Sequence, residues 1–288
     1  MKAISRIPQL PDPVSCSSEF AQHLHRALAT VGAAYIPVSG LLKNSNLLHS
    51  LHTLFALDEE QKRSLAKQFT APWQGVFIAL GEEKLADNQE DYKEVLDLNL
   101  ASGTYAQWIA QRQQTNEYTT VSPSVSPPVS PPVSPPVSPP ENHILTNQDL
   151  ATITDLKTIT ESLYHLFHAF QTQANYVLAA METIYRQPSN SLVKQHGKNS
   201  TLRLLHYPPA PHLSLGTIRL GRHQDYSGIT LLWQDTTGGL EIFTPDQEWI
   251  EVEIPSGCIG VIATELLQRW SGETLHAAPH RVRITHTD

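Results

Sequence analysis

The chain is short of cysteine, of long apolar runs and of clustered positive charge, and each shortage excludes something. Only two cysteines occur in 288 residues, Cys16 and Cys258. Thiols that far apart do not make the disulfide framework of a small secreted domain, so free thiols in a reducing compartment are expected. No segment approaches the roughly eighteen consecutive apolar residues of a membrane span. The opening residues MKAISRIPQLPDP lack an apolar stretch followed by a small-residue cleavage site, so no secretory leader is expected. A cytoplasmic protein without membrane contact is the default. The 20 Lys and Arg are outnumbered by 28 Asp and Glu, for a formal net charge of -8, and are nowhere grouped. Phosphate neutralisation needs grouped cations, which argues against nucleic acid as the main partner and for a small molecule or a protein.

Enough apolar sequence is present for a large core. Phe20, Leu24, Ala27, Leu28 and Val31 recur at helical spacing behind Ser17-Ser18-Glu19, predicting a helix from Ser18 to about Thr30. GAAYIPVSG then suits a brief strand and turn. Leu47, Leu48, Leu51, Leu54 and Phe55 mark a second helix, and Asp58 is placed to cap a third, short one. On these patterns the first hundred residues read as mainly helical. A stripe from Ile153 through Leu163, Phe167, Phe170, Val177 and Met181 to Ile184 predicts one long helix that stops before Pro188. From Thr201 the period becomes that of strands: TLRLLHY, GITLLW, GGLEIF, EWIEVEI and CIGVIA are separated by turn residues, the pattern of a sandwich, barrel or jelly roll.

Between these halves lies VSPSVSPPVSPPVSPPVSPP, Val121 to Pro140. Proline removes backbone donors and biases its predecessor to extended angles, so the segment is expected to be a solvated or disordered spacer. Its P-x-x-P spacing would suit an SH3 or WW partner; a repeat tolerated in a surface loop is the plainer account.

The chemistry-bearing residues are in GRHQDYSGITLL, Gly221 to Leu232. Residues i and i+2 of a strand share a face, so on a strand His223 and Asp225 would offer an imidazole nitrogen and a carboxylate oxygen to one ion. One further histidine would complete the two-His, one-carboxylate set of a non-haem Fe(II) site, and His276 and His280 are both available. The pairs His49/His52 and His165/His168 have helical spacing and read as solvated or partly packed faces. H-x-D alone is a weak signal.

In order, LRLLHYPP, GRHQDYSGITLL, GGLEIF, EWIEVEIPSGCIGV, LLQRWSGET and HRV resemble the isopenicillin N synthase-like branch of the 2-oxoglutarate/Fe(II)-dependent dioxygenases. ATVGAAYIPVSGL, FALDEEQKRSLA and DYKEVLDL extend the likeness upstream. The resemblance implies a double-stranded β-helix (jelly-roll) core, α+β or mainly β in class, with an N-terminal helical region and a long scaffolding helix. It implies an oxidoreductase with iron held by His223, Asp225 and His280, the last chosen over His276 because Arg281 and Val282 follow it. The expectation for His276 is a solvent-exposed loop histidine. Tyr207 matches a tyrosine that hydrogen-bonds the co-substrate 2-oxoglutarate. O2 and a small organic molecule are the other reactants, and the outcome is hydroxylation, desaturation or ring closure.

Departures from the family pattern temper this. The family's Arg-x-Ser strand, whose arginine binds the distal carboxylate of 2-oxoglutarate, does not appear in RVRITHTD, the eight residues after His280. The expectation is therefore a C-terminally truncated member lacking the last core strand, with an inactive protein that keeps the fold as the alternative. Arg283 falls on the strand face opposite His280, and Arg203, which shares parity with Tyr207, is a weak substitute. Ile262, Thr264 and Glu265 replace the family's Asn-x-Gly-Asp turn. The expected organisation is an N-terminal dioxygenase-type region at 1–118, the proline-rich linker at 119–142, and the scaffolding helix with the oxygenase core at 143–288.

Overall fold

The computed structural model describes residues 7–14, 17–38, 45–69, 73–83, 91–100, 147–196 and 200–285. The proline-rich linker and Cys16 lie outside the described residues. Among those residues the order is α1 (Ser17–Thr30), β1 (Ala33–Pro37), α2 (Ser45–Ala56), α3 (Glu59–Gln68), β2 (Trp73–Ile78), β3 (Glu94–Leu100), α4 (Asn147–Ile184), α5 (Ser191–His196), β4 (Thr201–His206), β5 (Ile218–His223), β6 (Ile229–Leu232), β7 (Leu240–Phe243), β8 (Trp249–Glu251), β9 (Cys258–Ala263), α6 (Glu265–Trp270) and β10 (His280–Arg283).

Two antiparallel sheets make the jelly roll, one in the order β1-β9-β6 and the other β5-β10-β7-β8. The first is buried on both faces, which is why AAYIP and CIGVIA are apolar without alternation. Ala34, Ile36, Ile259, Val261 and Ala263 pack with Leu24 and Leu28 of α1 and Val177 and Met181 of α4. The intervening Ala33, Tyr35, Cys258 and Ile262 pack with Ile242 of the second sheet and with Val252, just after β8. Cys258 is a buried free thiol, and burial raises its pKa, so it stays protonated. A glycine makes the turn from α1 to β1: Gly32 has φ +81°, and a Cβ there would stand 2.5 Å from the carbonyl oxygen of His276.

The third sheet, β2-β3-β4, brings two strands into a first hundred residues in which, among those described, helix predominates as expected. β3 reads EVLDLNL, with leucines alternating against Asp97 and Asn99, a period-two signal in a segment otherwise recognised only by its likeness to the family. Phe77, Leu96, Leu98, Leu202 and Leu204 turn one face of this sheet onto Leu54, Leu65, Leu163 and Phe167 of the helices. Asp58 caps α3 with a full capping box, accepting from the Gln61 amide while the Gln61 side chain accepts from the Asp58 amide.

Candidate metal centre

β10 is the inner strand between β5 and β7, and its first residue, His280, lies directly across from His223, the last residue of β5. This pairing brings the two imidazoles together, with ring centroids 4.1 Å apart and planes inclined at 58°. Asp225 is not on the strand: β5 ends at His223, so strand alternation does not aim the carboxylate as the H-x-D pattern suggested. Loop contacts aim it instead. The Glu265 amide, at the start of α6, donates to the Asp225 carbonyl at 2.9 Å, and Gln224 Nε2 donates to the Ala277 carbonyl at 2.7 Å. Thr264, fully buried, caps α6 and lays its hydroxyl against the Ser227 and Gly228 carbonyls, 3.0 Å from the latter. The replaced Asn-x-Gly-Asp turn has thus become the fastening of the Asp225 loop.

Asp225 Oδ1 stands 3.8 Å from Nε2 of His223 and 3.8 Å from Nε2 of His280. The ligand atoms of the three residues all lie within 4.8 Å of one another. Each histidine has its other nitrogen beside a carbonyl oxygen, Nδ1 of His223 at 2.9 Å from Gly221 and Nδ1 of His280 at 3.1 Å from Ala278. A carbonyl only accepts, so Nδ1 carries the proton and the lone pair of Nε2 points into the site. Burial, then the neighbouring His223, lowers the pKa of His280 against the opposing pull of Asp225. Two imidazole nitrogens and a carboxylate oxygen this close together fit the two-His, one-carboxylate set that holds a divalent iron.

His276 is outside this cluster and is not the solvent-exposed histidine expected: it is half-buried, with Nε2 3.3 Å from the Phe243 carbonyl. Arg203 is directly opposite Asp97 in the β3/β4 ladder and grips it at 2.8 and 2.7 Å, with Glu83 at 3.2 Å. Arg283 joins Arg281 in clamping the buried Glu241, at 2.7 and 2.8 Å. Tyr207 follows β4, and its buried hydroxyl has no hydrogen-bond partner among the described residues. Burial, then the Asp91 charge, raises its pKa, partly offset by Arg219, whose guanidinium lies over the ring. The phenol is therefore a donor at neutral pH.

The 2OG-Fe(II) oxygenase superfamily matches residues 198–288, and the N-terminal model of non-haem dioxygenases in morphine synthesis matches residues 4–119. The match to the 2OG-Fe(II) oxygenase superfamily covers the segment that carries His223, Asp225 and His280. The chain's similarity to the 2-oxoglutarate-dependent dioxygenase htyE of Aspergillus rugulosus is 40% identity over 38% of this chain and 35% of that one. With gloF of Glarea lozoyensis it is 35% over 43% and 38%. The chain thus spans little more than a third of the length of these two curated relatives. Proline hydroxylase buaE of Petromyces alliaceus is 27% identical over 92% of this chain and 75% of its own length. The oxygenase fold recurs in a full-length Neurospora crassa protein solved in complex with alpha-KG, at a TM-score of 0.65 and 22% identity over 100% of this chain and 82% of that one.

Sequence reasoning had no part for Thr230, whose hydroxyl donates to Asp225 Oδ2. A polar β-branched residue inside GITLL, on a strand otherwise apolar, was the available signal.

Proposed function

We propose that the chain is an Fe(II)- and 2-oxoglutarate-dependent oxygenase that oxidises a C–H bond of a small organic molecule, with His223, Asp225 and His280 as the iron ligands. The observation that carries this is the convergence of two Nε2 atoms and Asp225 Oδ1 from β5, β10 and the loop that α6 fastens. When bound, the iron supplies O2 activation coupled to conversion of 2-oxoglutarate to succinate and CO2. The protein's own part is to hold three coordination positions and leave the others open. Tyr207 then donates its buried, unpartnered hydroxyl to a carboxylate oxygen of 2-oxoglutarate, as the family likeness suggests. Among the described residues no helix is long and apolar enough to cross a membrane, and a cytoplasmic location is part of this proposal.

A second reading, a member that binds iron without turnover, is favoured by one observation. Arg203 and Arg283, the cations considered in place of the Arg-x-Ser arginine, are both committed to carboxylates. Succinate release on adding Fe(II) and 2-oxoglutarate separates the two. The first reading expects release that needs both additions and disappears in His223→Ala. Metal uptake without succinate, under conditions where a known oxygenase turns over, selects the second.

A further inference from the structure

The two oxygens of Asp225 face different partners. Oδ1 is equidistant from the two histidine Nε2 atoms, whereas Oδ2 accepts the hydroxyl hydrogen of Thr230. Thr230 is not free to follow the carboxylate, because β6 is zipped to β9 with Thr230 opposite Ile262. The Thr230 hydroxyl also has Ser227 Oγ at 3.4 Å, so it is oriented from both sides. The loop carrying Asp225 is fastened separately, by the Glu265 amide and by Thr264. Holding the loop therefore does not require Thr230, and its hydroxyl has another task.

A carboxylate with both oxygens available can chelate one cation through the pair and occupy two coordination positions. With Oδ2 engaged by a donor on a rigid strand, only Oδ1 is left to an ion between the histidines. We propose that Thr230 is a positioning residue that restricts Asp225 to attachment through Oδ1 and so keeps open the coordination position that Oδ2 would otherwise take. The inference rests on the iron-site reading of His223, Asp225 and His280. Its consequence is that Thr230 governs how well a chelating co-substrate fits the loaded site, since two of the remaining positions must be vacant for it.

The test uses the full chain loaded with Co(II), whose visible absorption reports coordination number, and compares wild type with Thr230→Val, Thr230→Ser and Thr264→Val. Thr230→Val keeps the shape and removes the donor. It should change the Co(II) spectrum and weaken binding of 2-oxoglutarate to the Co(II) form by about tenfold or more, the range found for lost outer-shell partners. Thr230→Ser should restore both. Thr264→Val, which loosens the loop without releasing Oδ2, should leave the spectrum as in wild type. An unchanged spectrum and unchanged 2-oxoglutarate affinity in Thr230→Val, or no rescue by serine, overturns the inference while leaving the metal site standing. If Thr230→Val does not fold, the same comparison is made with Thr230→Ala, under the same criteria. A wild-type chain that takes up no Co(II) overturns the proposed function, and this inference with it.

Discussion

A single substitution at Lys93 should be costly, because this cation is buried between two carboxylates. Its side chain is 0% exposed, and Nζ lies 2.7 Å from Asp91 Oδ2 and 2.7 Å from Glu83 Oε2. Burial pushes the Glu83 carboxyl up, but Lys93 and Arg203 overcome this and hold it below the usual carboxylate range, so it is ionised. Lys93→Met keeps the length of the side chain and removes the cation, leaving carboxylates that are themselves 2% and 16% exposed without their shared partner. Breaking a buried pair by removing one member destabilises by about 3–5 kcal/mol, against total stabilities of about 5–15 kcal/mol. At roughly 2–4 °C per kcal/mol for a chain of this size, the thermal midpoint should fall by about 10 °C. Circular dichroism melts and urea titration measure this directly. Lys93→Met combined with Asp91→Asn should recover part of the loss, because one of the stranded charges is removed. Glu83 keeps Arg203 at 3.2 Å, so the cost falls mainly on Asp91, and a single variant within about 1 kcal/mol of wild type would refute the account. The cluster also touches the site: Asp91 Oδ1 accepts from the Gly221 amide at 3.3 Å, and the Gly221 carbonyl accepts from His223.

Two further outcomes follow from the site residues. The folded-state pKa of His280 is lowered, so between that value and the ordinary histidine value of about 6.5 the unfolded chain binds more protons. Stability without metal should hold above about pH 6.5 and fall on acidification, and a melt series that is flat from pH 7 to 5 would contradict it. Tyr207→Phe removes a buried hydroxyl that has no partner among the described residues, so stability of the ligand-free protein should be unchanged or higher by about 1 kcal/mol. The same variant should bind 2-oxoglutarate more weakly, measured as a smaller thermal shift on adding it to the metal-loaded chain.

The helices of the N-terminal half and the short strands after Thr201 were legible because burial imposes a period on the sequence, and the capping residue Asp58 announced itself by type. β3 is equally periodic, but no glycine or proline adjoins its alternation of leucine with Asp97 and Asn99 to mark it as a strand. The residues that converge, His223, Asp225 and His280, were nameable because imidazole and carboxylate are distinctive donors. What supports them was not. Thr230 and Thr264 matter through which oxygen or carbonyl they face, and that depends on a register between β6 and β9 and on where β5 stops. Arg203 shows the same limit: parity suggested an inward side chain, while its partner across the ladder, Asp97, lies far away in sequence and captures it.

The pairing of β1 with β9 has a consequence for how the molecule comes into being. Ala33 through Pro37 leave the ribosome long before their ladder partners, Ile262 back to Cys258, have been made. During synthesis this apolar strand must wait, half-covered by α1 at best, with one whole edge open. Closure of the core sheet is thus a late, long-range event, slow by the logic of distant contacts, and it is the same event that brings the α6 fastening up to Asp225. The site cannot be assembled piecemeal; competence for metal arrives together with the completed fold.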